Sequence, residues 1–463
     1  MDRPLAQRFR RHVVRARLFP HPGAAIVAVS GGGDSVALLD LLHEHGAEFG
    51  LTLVVAHADH GIQPGSGDVG TEVRRLAEQY GLPFELGELH LGLDATETTA
   101  RRARYAWLAE VRRRREARYI VTAHHRDDQV ETILLRVLRG SGPAGLAGIA
   151  ARARGGLVRP LLPFSRAELA AHVTARGIPH HDDPANRDPR HLRSWVRHTL
   201  LPLLHERLGP RALDDVLRLG AHAAAERRAW DAALELMPEL ALHVENRGFS
   251  VAREALRRYD ATVAVALMRA AARRAGRGLV LGPVRARRLL SLAKGRSGRR
   301  LPLGGGWVAE AAFDRLRVTR GTAAAPEQVV ATADQGGTSF GSFQLAWRPE
   351  LAPARVERGG WSTWLPATGG GWTLRPPRSG DRLIPVGGVG RRPLRRLLME
   401  ARVPRGERAG YPVVARGETV LWVPGIARAA AEIPAPGTRA VRLDVVRDGE
   451  PENGRDDAQA DRL

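Results

Sequence analysis

The chain has 463 residues, 43% of them hydrophobic, and a net charge of +21. At ~150 residues per domain that length suggests about three domains with sizeable cores, and the charge calls for a polyanionic partner, nucleic acid first. There is no cysteine, which excludes disulfides, thiolate metal sites and cysteine catalysis. No apolar run approaches the ~18 residues that cross a bilayer, and the first ten residues lack the apolar core of a secretory signal, so the expectation is a cytoplasmic protein without a membrane partner.

Taken in order, residues 26–29 form a short β-branched run and predict a buried strand. Ser30-Gly31-Gly32-Gly33-Asp34-Ser35 follows, then an apolar stretch with helical spacing. A strand, a glycine turn and a helix start place unpaired N–H groups at the positive end of a helix dipole, where an anion is favoured. The run is neither the lysine-bearing phosphate loop nor the dinucleotide fingerprint. A carboxylate inside a phosphate loop repels phosphate unless a cation lies between them, so Asp34 points to Mg²⁺ with a nucleotide. Ser30, Gly31, Gly32, Gly33, Asp34 and Ser35 are the expected nucleotide-binding residues. A plain strand-to-helix turn with Asp34 as cap is the alternative for a bare glycine triplet.

Residues 51–56 predict a second strand, with His57-Ala-Asp-His-Gly after it; His57 or Asp59 is placed near adenosine. Helices are expected over 69–80 and 96–115, the second carrying Arg101 and Arg104 three residues apart and so on one face. Residues 119–122 predict a strand and 127–139 a helix, joined by Thr122-Ala-His-His-Arg-Asp-Asp-Gln-Val-Glu-Thr132. Asp128 and Glu131 share a helix face near its amino end; with Asp34 they are the expected metal ligands. His124 and His125 are candidates for a base or a phosphate contact, and a short strand at 157–159 and a helix at 167–176 complete a βαβα order. The expected fold class is α/β, a doubly wound mostly parallel sheet, with ligands beyond the carboxyl ends of the strands.

Residues 212–292 turn helical, 295–319 alternate between glycine turns and apolar positions, 321–360 read as a connector, and 361–445 become strand-like with one helix at 394–401. The tail over 447–463 is polar and expected to be disordered. The expected domains are therefore 1–211, catalytic; 212–325, helical and nucleic-acid-binding; 326–360, a connector; 361–446, nucleic-acid recognition. The carboxy-terminal part shows no clustered acids or histidines, but Arg375, Arg378, Arg391, Arg392, Arg395 and Arg396 gather there, as phosphate contacts would. Genome-driven arginine usage is the alternative, since Lys294 is the single lysine. Aromatics are few, at 5%, which argues against single-strand binding by stacking.

The Ser30–Ser35 run resembles the pyrophosphate loop of the ATP-pyrophosphatase superfamily. Five motifs in order, beginning at residues 30, 57, 100, 123 and 139, further resemble the tRNA(Ile)-lysidine synthetase family, as do Arg159-Pro-Leu-Leu162, Arg193-Ser-Trp-Val-Arg197 and Gly380-Asp-Arg-Leu-Ile384. Gln63, Ala185 and Ser194 depart from the pattern. The resemblance implies that ATP adenylates the C2 oxygen of the wobble cytidine in a CAU anticodon of isoleucine tRNA. Free L-lysine then displaces AMP, with Arg101, Arg104, Arg193 and Arg197 facing the anticodon or the reaction centre. A homodimer is left open. Two other readings stand beside it: a small-molecule synthetase of the NAD- or GMP-forming type, opposed by the charge and the additional domains, and a tRNA-binding protein with a decayed ATP site, opposed by the intact Asp34, Asp128 and Glu131.

Overall fold

The computed structural model describes residues 4–59, 66–92, 96–181, 192–209, 211–245, 247–276, 278–321, 327–330, 335–367 and 371–447. Two compact units divide the chain, 1–228 and 229–463.

The first unit begins with α1 (Leu5–Arg15), β1 (Gly23–Ala28), α2 (Gly33–His45), β2 (Leu51–Asp59), α3 (Ser66–Gln79), β3 (Phe84–Glu88), α4 (Glu97–Arg114), β4 (Tyr119–Val121) and α5 (Arg126–Leu138). It continues with β5 (Arg152–Ala153), β6 (Leu157–Val158), α6 (Arg166–Ala175), α7 (Leu192–Trp195), a π-helical turn (Val196–Leu200), α8 (Leu201–Leu208) and α9 (Arg211–Ala233). The sheet order is β3-β2-β1-β4-β6-β5, parallel except for the β5–β6 edge. From β1 the chain winds outward through β2 and β3, then returns to β4 on the opposite side of β1. Strand order therefore reverses between β1 and β4, where a doubly wound sheet opens its ligand crevice.

Both faces of the sheet are covered, as the near-continuous apolar strands require. Along β1, Ala25 and Val27 pack with Phe9, Leu38, Leu39 and Leu42 on one face, while Ile26 packs with Leu108 and Val111 of α4 on the other. Helix α2 buries nearly every residue after its first turn, so the helix that opens at the glycine loop is clamped from all sides.

The second unit holds β7 (His243–Glu245), β8 (Gly248–Ala252), α10 (Arg253–Arg258), α11 (Ala261–Ala275), α12 (Pro283–Lys294), β9 (Arg300–Gly304), β10 (Trp307–Ala312) and β11 (Arg315–Arg320). The region expected to be helical is thus α+β. Its helices pack on an antiparallel sheet, β7-β8-β11-β10-β9, through Leu267, Met268, Leu289, Phe249 and Val318. Then come β12 (Gln328–Val330), β13 (Gly336–Phe340), β14 (Phe343–Leu351), β15 (Ser362–Pro366), β16 (Trp372–Arg375), β17 (Arg382–Leu383), β18 (Arg392–Pro393), α13 (Leu394–Glu400), α14 (Arg405–Arg408), β19 (Val413–Arg416), β20 (Thr419–Val423), β21 (Ala427–Arg428) and β22 (Arg439–Arg447).

Residues 326–360 are therefore no connector. They supply β12 to the sheet β12-β16-β19-β20-β21, and β13 and β14 to the sheet β13-β14-β22-β15. Strand β14 pairs with β22 over nine positions, and both sheets enclose one core around Trp372, Trp422 and Leu443. The two parts of this unit are hooked together: the buried Glu310 carboxylate on β10 accepts the backbone N–H groups of Arg405 and Gly406, each at 2.7 Å, at the start of α14. Arg447 closes β22; the expected tail beyond it, 448–463, lies outside the described residues. Among the described residues no helix is long and apolar enough to cross a membrane.

Candidate active site

The loop after β1 and the loop after β4 flank the switch point, so the crevice gathers residues more than ninety positions apart in sequence. In the first loop Gly31 has φ +87°, and a Cβ there would meet Val69 Cγ1 at 2.5 Å; only glycine fits. Ser35 Oγ donates to Gly32 O at 2.8 Å and accepts from Ser30 N at 3.1 Å, which locks the loop in the shape that presents the first N–H groups of α2. The segment before residue 182 closes over it: His181 N donates to Gly31 O at 2.9 Å, and His180 stacks beside Gly33. Neither histidine carried a signal in the sequence, since their approach depends on α6 returning to the loop.

From β4 the chain delivers His124 and His125. His125 is buried, with Nε2 3.3 Å from Asp34 Oδ2 and 3.6 Å from Asp128 Oδ2, and Nδ1 3.5 Å from Asp127 Oδ2. Burial opposes a charge on this ring, but the three carboxylates outweigh it and raise its pKa to about 10. Asp127 is lowered to about 2: burial works against its ionisation, and His125 and the Arg166 N–H more than offset it. An imidazolium thus sits where Asp34 and Asp128 converge, and Asp34 also lies 3.9 Å from Arg166 Nε. Since the folded-state value of His125 exceeds the ordinary 6.5, its ion pairs stabilise fully below about pH 6.5 and are lost as pH rises towards about 10. We expect the unfolding temperature of the wild type to fall over that window and that of His125→Asn to fall much less; parallel curves would remove the charge from His125.

His124 behaves oppositely. Burial, helped by the positive charges of Arg159, Arg101 and Arg104 and opposed by Asp128, pushes it down to about 3. Its Nδ1 lies 3.0 Å from Thr122 Oγ1. Arg101 and Arg104 on α4 lie over Tyr105, 5.4 and 5.9 Å from the ring centre, and their charges reach His124. Tyr105 Oη and Arg159 Nε are buried without a hydrogen-bond partner among the described residues.

Glu131 departs from its expected place. It is 0% exposed, and its oxygens take Arg197 Nε at 2.5 Å and Arg193 Nε at 3.3 Å. Among the described residues no three acids or histidines are grouped to hold a metal ion. Glu131 pairs with both arginines, Arg193 from α7 and Arg197 from the π-helical turn; Arg197 Nη2 also reaches Asp128 Oδ1 at 3.6 Å. A cavity of about 330 Å³ beside this cluster is lined by Asp127, Arg166, Arg197, Leu201, Pro202 and Glu206, among others.

His57 is buried, and its Nδ1 lies 2.9 Å from Val29 O, behind the loop; burial lowers its pKa against that hydrogen bond. Its ring packs on Gly70, so it braces the loop at the crevice end of β2. Residues 60–65, with Gln63, and 182–191, with Ala185, lie outside the described residues.

The arginines of the second unit divide. Arg375 is 0% exposed and forms a two-bonded ion pair with Asp381 at 2.8 and 2.9 Å; it holds a turn and cannot meet a phosphate. Arg378 reaches Glu327 at 2.7 Å, and Arg392 and Arg396 share Glu400. Arg391 and Arg395 are exposed.

Residues 3–204 match the PP-loop domain family, and residues 372–445 match the TilS substrate C-terminal domain family. The tRNA(Ile)-lysidine synthase of Symbiobacterium thermophilum is 34% identical over 97% of this chain and 100% of its own length. This chain belongs to the tRNA(Ile)-lysidine synthase family. The member from Solibacter usitatus is 33% identical over 88% of this chain and 94% of its own. A crystal structure of a TILS C-terminal domain aligns to 27% of this chain and 100% of that one, at 21% identity and a TM-score of 0.24. The family assignment covers both units, and the PP-loop match coincides with the parallel sheet and the crevice loops described above.

Proposed function

We infer that this protein is the ATP-dependent ligase its family name describes, joining L-lysine to the wobble cytidine of isoleucine tRNA bearing a CAU anticodon. The observation that carries the reading is the Ser30–Ser35 loop, its shape fixed by Ser35 at the switch point, in a chain that matches a lysidine synthase over that relative's whole length. The cytidine C2 oxygen attacks the α-phosphorus of ATP and pyrophosphate leaves. The ε-amine of lysine then attacks C2 and AMP leaves.

The geometry supports a set of roles. The N–H groups opening α2 and the hydroxyls of Ser30 and Ser35 receive the pyrophosphate. Asp34 and Asp128 fit Mg²⁺, because the two carboxylates already converge on one cationic point, held by the His125 ring. Magnesium bound there would neutralise charge on the departing pyrophosphate. Arg101 and Arg104 face the α-phosphate, and Arg193 and Arg197, held rigid by Glu131, face the anticodon. Of the two histidines His125 is held protonated by its carboxylates and suits a phosphate contact, whereas burial keeps His124 neutral and leaves it too weak a base to deprotonate an ammonium group. The cavity lined by Asp127, Glu206, Arg166 and Leu201 offers acids for the ammonium groups, a cation for the carboxylate and an apolar floor for the methylenes, which suits free lysine. Such an enzyme works where its tRNA is, in the cytoplasm.

The test is incorporation of labelled lysine into transcripts of isoleucine tRNA and of elongator methionine tRNA. Incorporation into the first alone, with one AMP per lysine, is expected; AMP release without lysine transfer would refute the reading.

A further inference from the structure

The hairpin formed by β17 and β18 projects a tip that nothing in its unit covers. Val389 at that tip is 102% exposed, the largest value among the exposed large hydrophobic residues. Gly387 and Gly390 on either side have φ of +67° and +83°, and no atom lies within 4 Å of where their Cβ atoms would stand. The root of the hairpin is fixed. Leu394 N donates to Asp381 O at 2.9 Å, Val386 N to Arg428 O at 2.8 Å, and Ala430 N to Ile384 O at 2.7 Å. Asp381 is held by the buried Arg375. Arg428, 0% exposed, donates to the carbonyls of Leu421, Ala429, Ala431 and Glu432. A rigid root with a bare apolar tip is shaped before any partner arrives, so little ordering entropy is lost on binding.

Arg391 follows the tip directly, and Arg382 and Arg395 stand at the root of the hairpin. Arg382, Arg391 and Arg395 are exposed, and among the described residues no carboxylate lies within 4 Å of them. Isolated apolar tips flanked by unneutralised arginines fit a groove bordered by phosphates, where the side chain packs on sugar and base edges. A valine between glycines has no ring on which to stack an unpaired base, which disfavours a single strand. The shallow minor groove of an RNA helix admits such a tip, whereas its deep major groove does not. We propose that the 382–393 hairpin enters the minor groove of a duplex segment of the bound tRNA, with Val389 against the sugar edges and Arg382, Arg391 and Arg395 on the bordering phosphates. This rests on the tRNA-ligase reading.

The absence of cysteine permits a direct test with the full-length protein. Val389→Cys, labelled with a photoreactive aryl azide, is irradiated in complex with the isoleucine tRNA transcript, and the adducts are mapped by primer extension. Adducts at paired nucleotides on both strands of one helix are expected, with none from an identically labelled Leu351→Cys control, whose side chain is also exposed. Adducts at unpaired nucleotides, or none from labelled protein that keeps its tRNA affinity, would overturn the proposal. In parallel, Val389→Asp should weaken tRNA binding by about tenfold, the value of burying one valine, with ATP affinity unchanged. Unchanged tRNA affinity would overturn the proposal, and if self-association were lost instead, the tip would be a contact between copies of the chain. Failure of the underlying reading is distinguishable, since the wild type would then show no tRNA-dependent AMP release.

Discussion

Asp34→Asn is expected to reduce tRNA-dependent AMP formation by about two to three orders of magnitude, the scale seen when one pre-organised electrostatic group is removed. The side chain makes no close bond that the fold needs: its nearest cationic neighbours, His125 and Arg166, lie at 3.3 and 3.9 Å, and it is 30% exposed. The amide keeps the shape and removes the charge, so the proposed Mg²⁺–ATP complex would lose a ligand while α2 and the loop remain in place. Pyrophosphate release measured beside the unfolding temperature separates the two effects. Wild-type turnover in the variant would end the assignment of Asp34 to the metal, and a collapsed unfolding temperature would make its role structural.

Glu131→Gln should show the reverse balance. The carboxylate is wholly buried between Arg193 and Arg197, which are 29% and 24% exposed, and its loss removes their shared counter-charge, leaving Arg197 its longer pair with Asp128. Breaking a buried pair by removing one partner costs about 3–5 kcal/mol, which for a unit of this size lowers the unfolding temperature by on the order of 10 °C. A residue whose main task was to hold a metal beside other acids would behave differently, because its removal relieves repulsion. An unfolding temperature at or above that of the wild type would therefore restore Glu131 to the metal site.

The contrast between these two acids shows what the sequence could convey. The Ser30–Ser35 turn was legible because its chemistry is local: glycines, hydroxyls and a carboxylate within six residues impose one backbone shape. The βαβα order was legible for the same reason, since apolar strands and amphipathic helices declare themselves by period. Asp128 and Glu131 look equivalent on a helical wheel, yet one faces the crevice and the other the interior. That difference is made by α7 and the π-helical turn, more than sixty residues onward. Strands β12 to β14 read as a connector because Gly336-Gly-Thr-Ser-Phe340 has little strand propensity of its own; it is held in a hairpin with β14, which in turn pairs with the distant β22. Arginine hid its roles most completely. In a chain that uses it almost exclusively as its cation, Arg375 and Arg428 hold buried turns while Arg391 and Arg395 face solvent, and no local pattern distinguishes them.

The pairing of β14 with β22 sets a schedule for synthesis. The sheet β13-β14-β22-β15 has β22 between β14 and β15, so neither neighbour acquires its partner until residues 439–447 have been translated. At ~5–20 residues per second, the stretch between the end of β14 and the start of β22 takes roughly 5–20 s. Throughout that interval Phe343 and Leu345 lie along an open edge able to recruit another nascent chain. Arg348 and Glu350, alternating charges farther along the same strand, interrupt that edge where it would otherwise be most uniform. Slower elongation through this stretch should therefore lower the yield of folded enzyme even though every native contact is unchanged.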